Sequence, residues 1–207
     1  MEIEAFILIG GKSSRMGRDK ALLKLGGVTL AERAVKTTAE ALTPKQIYLV
    51  AAYEDQFSAE DLPKNIPVMY DIYQDLGAYG ALHAALKQAR SEWIFVLACD
   101  LPFVTVDLLK FMAGMIDGTF EAIVNAAPDG RLQPLCAFYK TEKYLPLIEA
   151  MLQSKDRLPP LTRLLEKVST KTVKPLELQH LPASENFFIN VNTKEDMTAA
   201  EEILAKL

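Results

Sequence analysis

The sequence predicts a three-layer α/β/α domain, in which a mostly parallel sheet is covered by helices on both faces. Short runs of β-branched and aliphatic residues alternate with segments of helical periodicity, which is the pattern of such a sheet. The chain has 207 residues and is 50% hydrophobic, enough to bury a sizeable core. It contains no internal repeat or obvious linker. We therefore expect one domain over residues 1–207.

The central elements follow from these alternating patterns. Six short apolar segments are predicted to be strands, at residues 5–9, 46–51, 67–70, 93–98, 121–125 and 135–139. Four segments between or after them have helical periodicity, at residues 30–42, 80–89, 106–116 and 142–153. Each strand before residue 100 is thus followed by a loop at the edge of the sheet where ligands of doubly wound folds bind.

The last quarter of the chain is less regular. Residues 155–168 are predicted to form a helix that starts at Pro159 and Pro160, because proline is tolerated in a first helical turn. Residues 170–178 are predicted to form an edge strand, since Pro175 cannot donate a ladder hydrogen bond. Residues 192–207 are predicted to be a helix capped by Thr193, with Asp196 three residues further on.

Composition excludes several classes of function. A net charge of −4 argues against a general binder of nucleic acid or of membrane surfaces. No segment has the length and hydropathy of a membrane span, and the start of the chain does not resemble a secretory signal, so a cytoplasmic location is expected. Cys99 and Cys136 lie in apolar runs without metal-ligand spacing and are expected to be buried free thiols.

The loop after the first strand, GGKSSRMGRDK, has the composition of an anion-binding site. It offers backbone N–H groups at two glycines, two serine hydroxyls and four cations: Gly10, Gly11, Ser13, Ser14, Lys12, Arg15, Arg18 and Lys20. Together these groups indicate a site for a di- or triphosphate. The spacing is neither that of a P-loop nor that of a dinucleotide fingerprint. The alternative is a solvated loop whose charges serve no ligand.

Two carboxylates follow predicted strands. Asp100 ends a buried strand in FVLACDLPF and is placed to hold Mg²⁺ beside phosphate oxygens; a turn or helix cap is the alternative. Asp71 follows the third strand, where it can accept hydrogen bonds from a base or a ribose, or form an Asx-turn. His83 lies in a helix rich in small residues, and we expect a packed or surface histidine rather than a catalytic base.

Four segments in this order resemble the molybdenum cofactor guanylyltransferase family: LIGGKSSRMGRDKALL, CDLPF, RLQPLCAFY and FFINVNTKEDM. The first segment is shared with a wider class of nucleotidyltransferases, which includes sugar-phosphate and cytidylyl transferases, and the last narrows the resemblance. The resemblance implies a Rossmann-like sheet of the nucleotide-diphospho-sugar transferase type with a small antiparallel edge element. It also implies a nucleotide-binding half, residues 1–104, and an acceptor half, residues 105–207.

The resemblance further implies a reaction. GMP is transferred from GTP to the terminal phosphate of the molybdenum-bearing molybdopterin cofactor, pyrophosphate leaves, and Mg²⁺ assists an in-line attack. Both substrates are small molecules, so neither nucleic acid nor a membrane is an expected partner. Transient contacts with proteins that insert or deliver the cofactor are expected.

Site residues carry over from the same resemblance. The catalytic set is Arg15, Lys20 and Asp100, and Asp100 is also the metal ligand. GTP is expected to contact Leu8, Ile9, Gly10, Gly11, Lys20, Asp71 and Asp100. The pterin substrate is expected at Arg131, Gln133, Asn190 and Asn192.

Two departures from the family pattern concern the nucleotide. A family asparagine that helps to recognise guanine is replaced in Ala51-Ala52-Tyr53, and the usual GPLAG turn is Gly77-Ala78-Tyr79-Gly80-Ala81. Either the site has a different shape, or Tyr79 stacks on a base or pterin. A cytidylyltransferase and a non-enzymatic nucleotide-binding protein are therefore kept as alternatives.

Overall fold

The predicted α/β/α architecture is confirmed in the computed structural model, which describes residues 2–11, 19–153 and 157–207. The strands are β1 (Ile3–Leu8), β2 (Lys24–Leu25), β3 (Val28–Thr29), β4 (Gln46–Ala51), β5 (Val68–Tyr70), β6 (Trp93–Ala98), β7 (Ala122–Ala126), β8 (Leu132–Lys140) and β9 (Thr170–Val173). The α-helices are α1 (Leu30–Leu42), α2 (Ala78–Gln88), α3 (Val106–Ala113), α4 (Thr141–Gln153), α5 (Thr162–Leu165), α6 (Pro175–Leu178) and α7 (Lys194–Leu204).

Seven strands form the main sheet in the order β5-β4-β1-β6-β8-β7-β9. Every residue of β1 is buried, because this strand lies between β4 and β6 and is covered on both faces. All pairings are parallel except those of β8, which runs antiparallel to both β6 and β7. A separate antiparallel ribbon joins β2 to β3.

Two hydrophobic clusters lie on opposite faces of the sheet. One contains side chains of α1, α3 and α7, and the other contains side chains of α2, α4 and α5. The strand residues alternate between them: Ile7 belongs to the first cluster, and Phe6 and Leu8 belong to the second. This division produces the three layers, and it leaves the carboxyl ends of the parallel strands free to form a site.

Local signals fix the ends of the long helices. The Thr29 hydroxyl accepts a hydrogen bond from the Glu32 N–H while the Glu32 carboxylate accepts one from Thr29, a capping box that starts α1. Thr193 and Asp196 make the same arrangement at α7, as the sequence predicts. The predicted helix at residues 30–42 and the predicted strands at 46–51 and 93–98 have the observed bounds.

Differences from the sequence prediction concentrate in the second half. The edge strand β9 ends at Val173, and Pro175 begins α6 instead of continuing the strand, because its fixed φ suits a first helical turn. Strand β8 begins at Leu132 and is longer than predicted. Helix α5 begins only after Pro159 and Pro160, so these prolines precede the helix rather than occupy its first turn.

Candidate active site

A cavity of about 670 Å³ opens at the carboxyl ends of β1, β4, β5 and β6. Its volume lies within the range of sites that bind small molecules. All the described residues that the resemblance assigns to the nucleotide line this cavity: Leu8, Ile9, Gly10, Gly11, Lys20, Asp71 and Asp100. The catalytic prediction for Arg15 and the phosphate-loop predictions for Lys12, Ser13, Ser14 and Arg18 lie outside the described residues.

Gly10 brings the backbone at the start of the first loop close to the end of the neighbouring strand. The N–H groups of Ile9 and Gly10 both donate to the Val50 carbonyl, at 2.9 and 3.1 Å. A Cβ atom on Gly10 would lie 2.5 Å from the Ala52 nitrogen, too close for any side chain. The glycine therefore allows the backbones after β1 and β4 to approach each other and form one wall of the cavity.

The two adjacent glycines provide a direct test of this close approach. Gly10→Ala should destabilise the protein by about 1–3 kcal/mol, because the obstacle is backbone that cannot rotate away. Gly11→Ala is the matched control, since nothing lies within 4 Å of a Cβ placed there. Chemical denaturation of the two variants measures the difference. Equal stability of the two variants would contradict the assigned role of Gly10.

Lys20 joins two distant parts of the chain. Its ammonium lies 3.5 Å from the Asp100 carboxylate and donates a hydrogen bond to the Asn192 side-chain oxygen. The Val191 N–H donates to the Asp100 carbonyl at 2.9 Å, which fixes the Asn192 segment beside the end of β6. A carboxylate oxygen and an amide oxygen thus face one cation, the kind of oxygen ligands that Mg²⁺ prefers.

The electrostatics of Asp100 reflect this position. Burial raises the pKa of its carboxyl, and the nearby Lys20 ammonium partly offsets the rise. The side chain keeps about a quarter of its surface exposed (25%), on the side of the cavity. It lies in the turn after β6 and contacts Lys20, so the turn of the sequence alternative and the cavity position occur together.

Asp71 lies at the other end of the cavity, after β5. Its main-chain N–H donates to Ala51, and its Oδ1 is buried with no hydrogen-bond partner among the described residues. Desolvation raises the pKa of this carboxyl to about 7. Gly80 leaves room for the close approach, because a Cβ there would lie 3.0 Å from Asp71 Oδ2. Asp71 is therefore a carboxylate with unused acceptor capacity.

The raised pKa of Asp71 makes a prediction about stability. The folded protein holds this proton up to about pH 7, whereas the unfolded chain releases it near the usual value of 3.8, so the contribution of Asp71 to stability falls as pH rises between these values. The Asp71→Asn variant has no group that ionises at this position, so its stability does not fall for this reason as pH rises. Because the carboxyl is only half buried, we expect the variant's Tm to exceed that of the unmodified protein by roughly 2–4 °C at pH 8.

The pH dependence separates this effect from a general change in packing. The gain in Tm should shrink as pH is lowered through 7 toward 4, where the carboxyl is protonated in both states. Scanning calorimetry at a series of pH values measures it. A gain that is equal at pH 8 and pH 4 would contradict the assigned protonation.

Gln56 supports two residues that line the cavity, Ala52 and Asp19, and the sequence analysis does not predict it. Its side-chain oxygen accepts from the Ala52 N–H at 2.8 Å, and its Nε2 donates to Asp19 at 3.1 Å. It therefore ties the end of the basic loop, next to Lys20, to the turn after β4. No local pattern marks this glutamine, because its two partners are brought together only by the pairing of β1 with β4.

The residues predicted for the pterin have different contacts. Asn192 lies at Lys20, whereas the Asn190 amide donates to the Phe188 carbonyl. Arg131 is 77% exposed and pairs with Asp129 at 2.6 Å. Gln133 lies at the start of β8, close in sequence to Leu135, which does line the cavity.

Two aromatic side chains in the replaced motifs have different surroundings. Tyr79 is 6% exposed and packs in the second core cluster, with its hydroxyl 3.7 Å from the Met151 sulfur, so the hypothesis that it stacks on a ligand is wrong. Tyr53 lines the cavity and is 52% exposed.

His83 is buried beside the Tyr73 ring, as expected for a packed histidine.

The described residues also limit the site's chemistry. They contain no group of three or more His, Cys, Asp or Glu side chains that could hold a metal ion by themselves. A divalent cation at Asp100 would need oxygen atoms from a substrate, as Mg²⁺ at phosphates commonly does.

No described helix is long and apolar enough to cross a membrane.

Two solved structures have the same architecture. A molybdopterin-guanine dinucleotide biosynthesis protein A from Archaeoglobus fulgidus superposes with a TM-score of 0.77 and 25% identity, covering 99% of this chain and 100% of that one. A 4-diphosphocytidyl-2C-methyl-D-erythritol synthase from Anaerococcus prevotii shares the fold, with a TM-score of 0.73 and 17% identity over 99% of this chain and 96% of its own. The protein is an enzyme of the nucleotidyltransferase class, as its match to the family model of an NTP transferase domain shows.

Sequence comparisons identify the family within that class. The model of the MobA-like NTP transferase domain matches residues 5–171, and the chain belongs to this family. A probable molybdenum cofactor guanylyltransferase of Clostridium perfringens is 31% identical over 206 residues, covering 96% of this chain and 98% of the relative. One from Bacillus cereus is 29% identical over 201 residues, covering 96% of each chain.

Proposed function

We propose that this protein transfers GMP from GTP to the phosphate of the molybdenum-bearing molybdopterin cofactor and releases pyrophosphate. The observation that carries the proposal is the cavity at the strand ends, in which the Lys20 ammonium lies between the Asp100 carboxylate and the Asn192 amide oxygen. Similarity to probable molybdenum cofactor guanylyltransferases over nearly the whole chain supports the choice of substrates.

The order of the strands orients the nucleotide in this proposal. Asp100 follows β6 and Lys20 follows β1, so the triphosphate lies toward these strands. Asp71 and Tyr53 follow β5 and β4, at the opposite end of the cavity, so the base and ribose lie there. Ionised Asp71 has two acceptor oxygens, which suit the N–H donors of guanine, and the exposed Tyr53 ring offers a stacking surface.

Transfer requires no covalent intermediate with the protein. The acceptor phosphate attacks the α-phosphorus of GTP in line, the bond to the bridging oxygen breaks, and pyrophosphate departs with that oxygen. Lys20 neutralises charge on the phosphates, and the backbone after β1 holds the nucleotide in place. We infer that residues 1–104 carry most of the nucleotide site and that residues 105–207 carry most of the acceptor site.

Asp100 fits the role of the Mg²⁺ ligand, with Asn192 as a neutral oxygen beside it. Both oxygens already face a cation, the Lys20 ammonium. The bound ion would neutralise phosphate charge during transfer. Lys20 would then be released from Asp100 toward the phosphates.

Nucleotide preference tests the proposal against its nearest rival. A cytidylyltransferase is the rival because the asparagine expected for guanine recognition is replaced in Ala51-Ala52-Tyr53. We expect GTP with Mg²⁺ to raise the Tm more than CTP or ATP at equal concentration. At saturating concentrations, a nucleotide with a hundredfold lower Kd stabilises the folded protein by about 2.7 kcal/mol more than its competitor. Stronger stabilisation by CTP would contradict the proposed guanylyltransferase function and support a cytidylyltransferase.

A further inference from the structure

Strand β8 contains a bulge beside the end of β6, the strand that Asp100 follows. Val124 of β7 pairs with Ala137 of β8, and Ala126 of β7 pairs with Leu132 of β8. Asn125, the single residue between Val124 and Ala126, therefore lies opposite residues 133–136. A regular antiparallel pair would have one residue there, and β8 has four, so residues 133–135 are additional. We call residues 133–135 the bulge. Bulges of this kind redirect side chains, and they are frequent next to active sites.

The bulge borders the proposed site for the transferred group. Pairing of β6 with β8 ends at Leu97 and Cys136, so the next residues in each direction are Ala98 and Leu135. Both of these line the cavity, together with Asp100. Pro134 lies within the bulge and has no N–H to donate to a neighbouring strand. The position of the bulge therefore determines what lies alongside Asp100.

A buried hydroxyl holds the bulge in this position. Tyr139 is 1% exposed, and its hydroxyl donates a hydrogen bond to the Pro134 carbonyl at 2.5 Å. Burial raises the pKa of the phenol well above its usual value, so it remains a donor. In a regular strand, residues five apart are separated by roughly 17 Å, beyond the reach of a tyrosine side chain. The hydrogen bond therefore depends on the bulge.

Packing leaves the Tyr139 ring little freedom. Its backbone lies between Ile94 of β6 and Ala122 of β7, and its ring meets the Tyr144 ring edge-on at a centroid distance of 4.6 Å. The opposite strand offers no comparable side-chain support, because the buried Asn125 amide has no hydrogen-bond partner in the described part of the chain. Support for the bulge comes from Tyr139.

We propose that Tyr139 is a positioning residue for the acceptor substrate, whose hydroxyl fixes residues 133–135 beside Asp100 so that Gln133 and Leu135 form the acceptor side of the cavity. The proposal rests on the guanylyltransferase function proposed above. Tyr139 does not touch the substrate. It acts through the Pro134 carbonyl, on a segment that the nucleotide half of the cavity does not use.

Tyr139→Phe tests this role, because it removes one oxygen and keeps the ring. We expect the KM for the molybdopterin acceptor to rise about tenfold, and the KM for GTP to change by less than about twofold. Tyr144→Phe is the matched control: it removes the hydroxyl of the ring packed against Tyr139, which makes no hydrogen bond to the bulge among the described residues. Equal effects of the two variants, or a parallel rise in both KM values, would overturn the proposal.

Hydrogen exchange supplies a readout that does not depend on the reaction. The Gln133 and Leu135 amides should exchange faster in Tyr139→Phe than in Tyr144→Phe, while amides of β1 and β6 remain protected in both variants. Unchanged exchange in the bulge would overturn the proposal even if activity fell. If the unmodified protein forms no guanylylated pterin, the function proposed above fails, and the exchange result still decides whether the Tyr139 hydroxyl holds the bulge.

Discussion

Asp100→Asn is expected to reduce kcat by at least about a thousandfold, because the amide cannot balance the charge of a divalent cation and phosphates. The fold should survive. Burial disfavours the charged form of Asp100, as its raised pKa shows, and its ion pair with Lys20 is partly exposed. Removing the charge should therefore have little effect on the free energy of unfolding. Steady-state kinetics and a thermal melt of the same preparation measure both quantities.

Asp61→Asn is the control for Asp100→Asn. Asp61 is an exposed carboxylate that does not line the cavity, so its variant loses the same charge without affecting the site. We expect its kcat to stay within about twofold of that of the unmodified protein. Near-normal turnover by Asp100→Asn with a normal melt would remove Asp100 from the metal role, and loss of folding would assign it a structural one.

Lys20→Met is expected to have the second largest effect. The substitution keeps an unbranched side chain and removes the ammonium that contacts Asp100 and Asn192. Losing a charge-assisted hydrogen bond of about 1.5–3 kcal/mol should raise the Kd for GTP roughly 10- to 100-fold. The rate should fall further, since phosphate charge grows on the leaving pyrophosphate. Calorimetric titration and single-turnover kinetics separate the two effects.

The same variant should change the pH dependence of the reaction. Lys20 opposes the effect of burial on Asp100, so its removal lets the pKa of Asp100 rise further. The acidic limb of the kcat/KM profile should therefore move to higher pH. Lys24→Met, at an exposed position of β2, is the control and should leave both affinity and profile unchanged. A Lys20→Met enzyme with unaltered GTP affinity would contradict the phosphate role.

Features that depend on adjacent residues could be predicted from the sequence. The apolar run before Gly10 predicts a central strand, the acid that ends FVLACD predicts a carboxylate at the cavity, and Thr193 with Asp196 predicts the start of α7. Each of these signals concerns residues within a few positions of one another. The physical cause therefore lies in local sequence, where spacing and residue type can be interpreted directly.

Features that depend on distant contacts could not be predicted in this way. Lys20 and Asn192 are 172 positions apart, and Gln56 meets Asp19 across 37 positions. The bulge has no signature beyond Pro134, because it depends on how β8 pairs with two strands at once. The burial of Tyr79 was also ambiguous, because small and apolar residues precede and follow it in LGAYGALHAAL. Packing against the second core cluster decides it.

We propose that the cavity between Asp71 and Asp100 holds GTP for attack at its α-phosphorus. The most direct test incubates the protein and Mg²⁺ with the molybdenum-bearing molybdopterin cofactor and GTP labelled either at the α- or at the γ-phosphorus. We expect the α-label in a guanine dinucleotide of the pterin and the γ-label in pyrophosphate. Transfer of the γ-label to the pterin, or retention of both labels in GTP, would contradict the account.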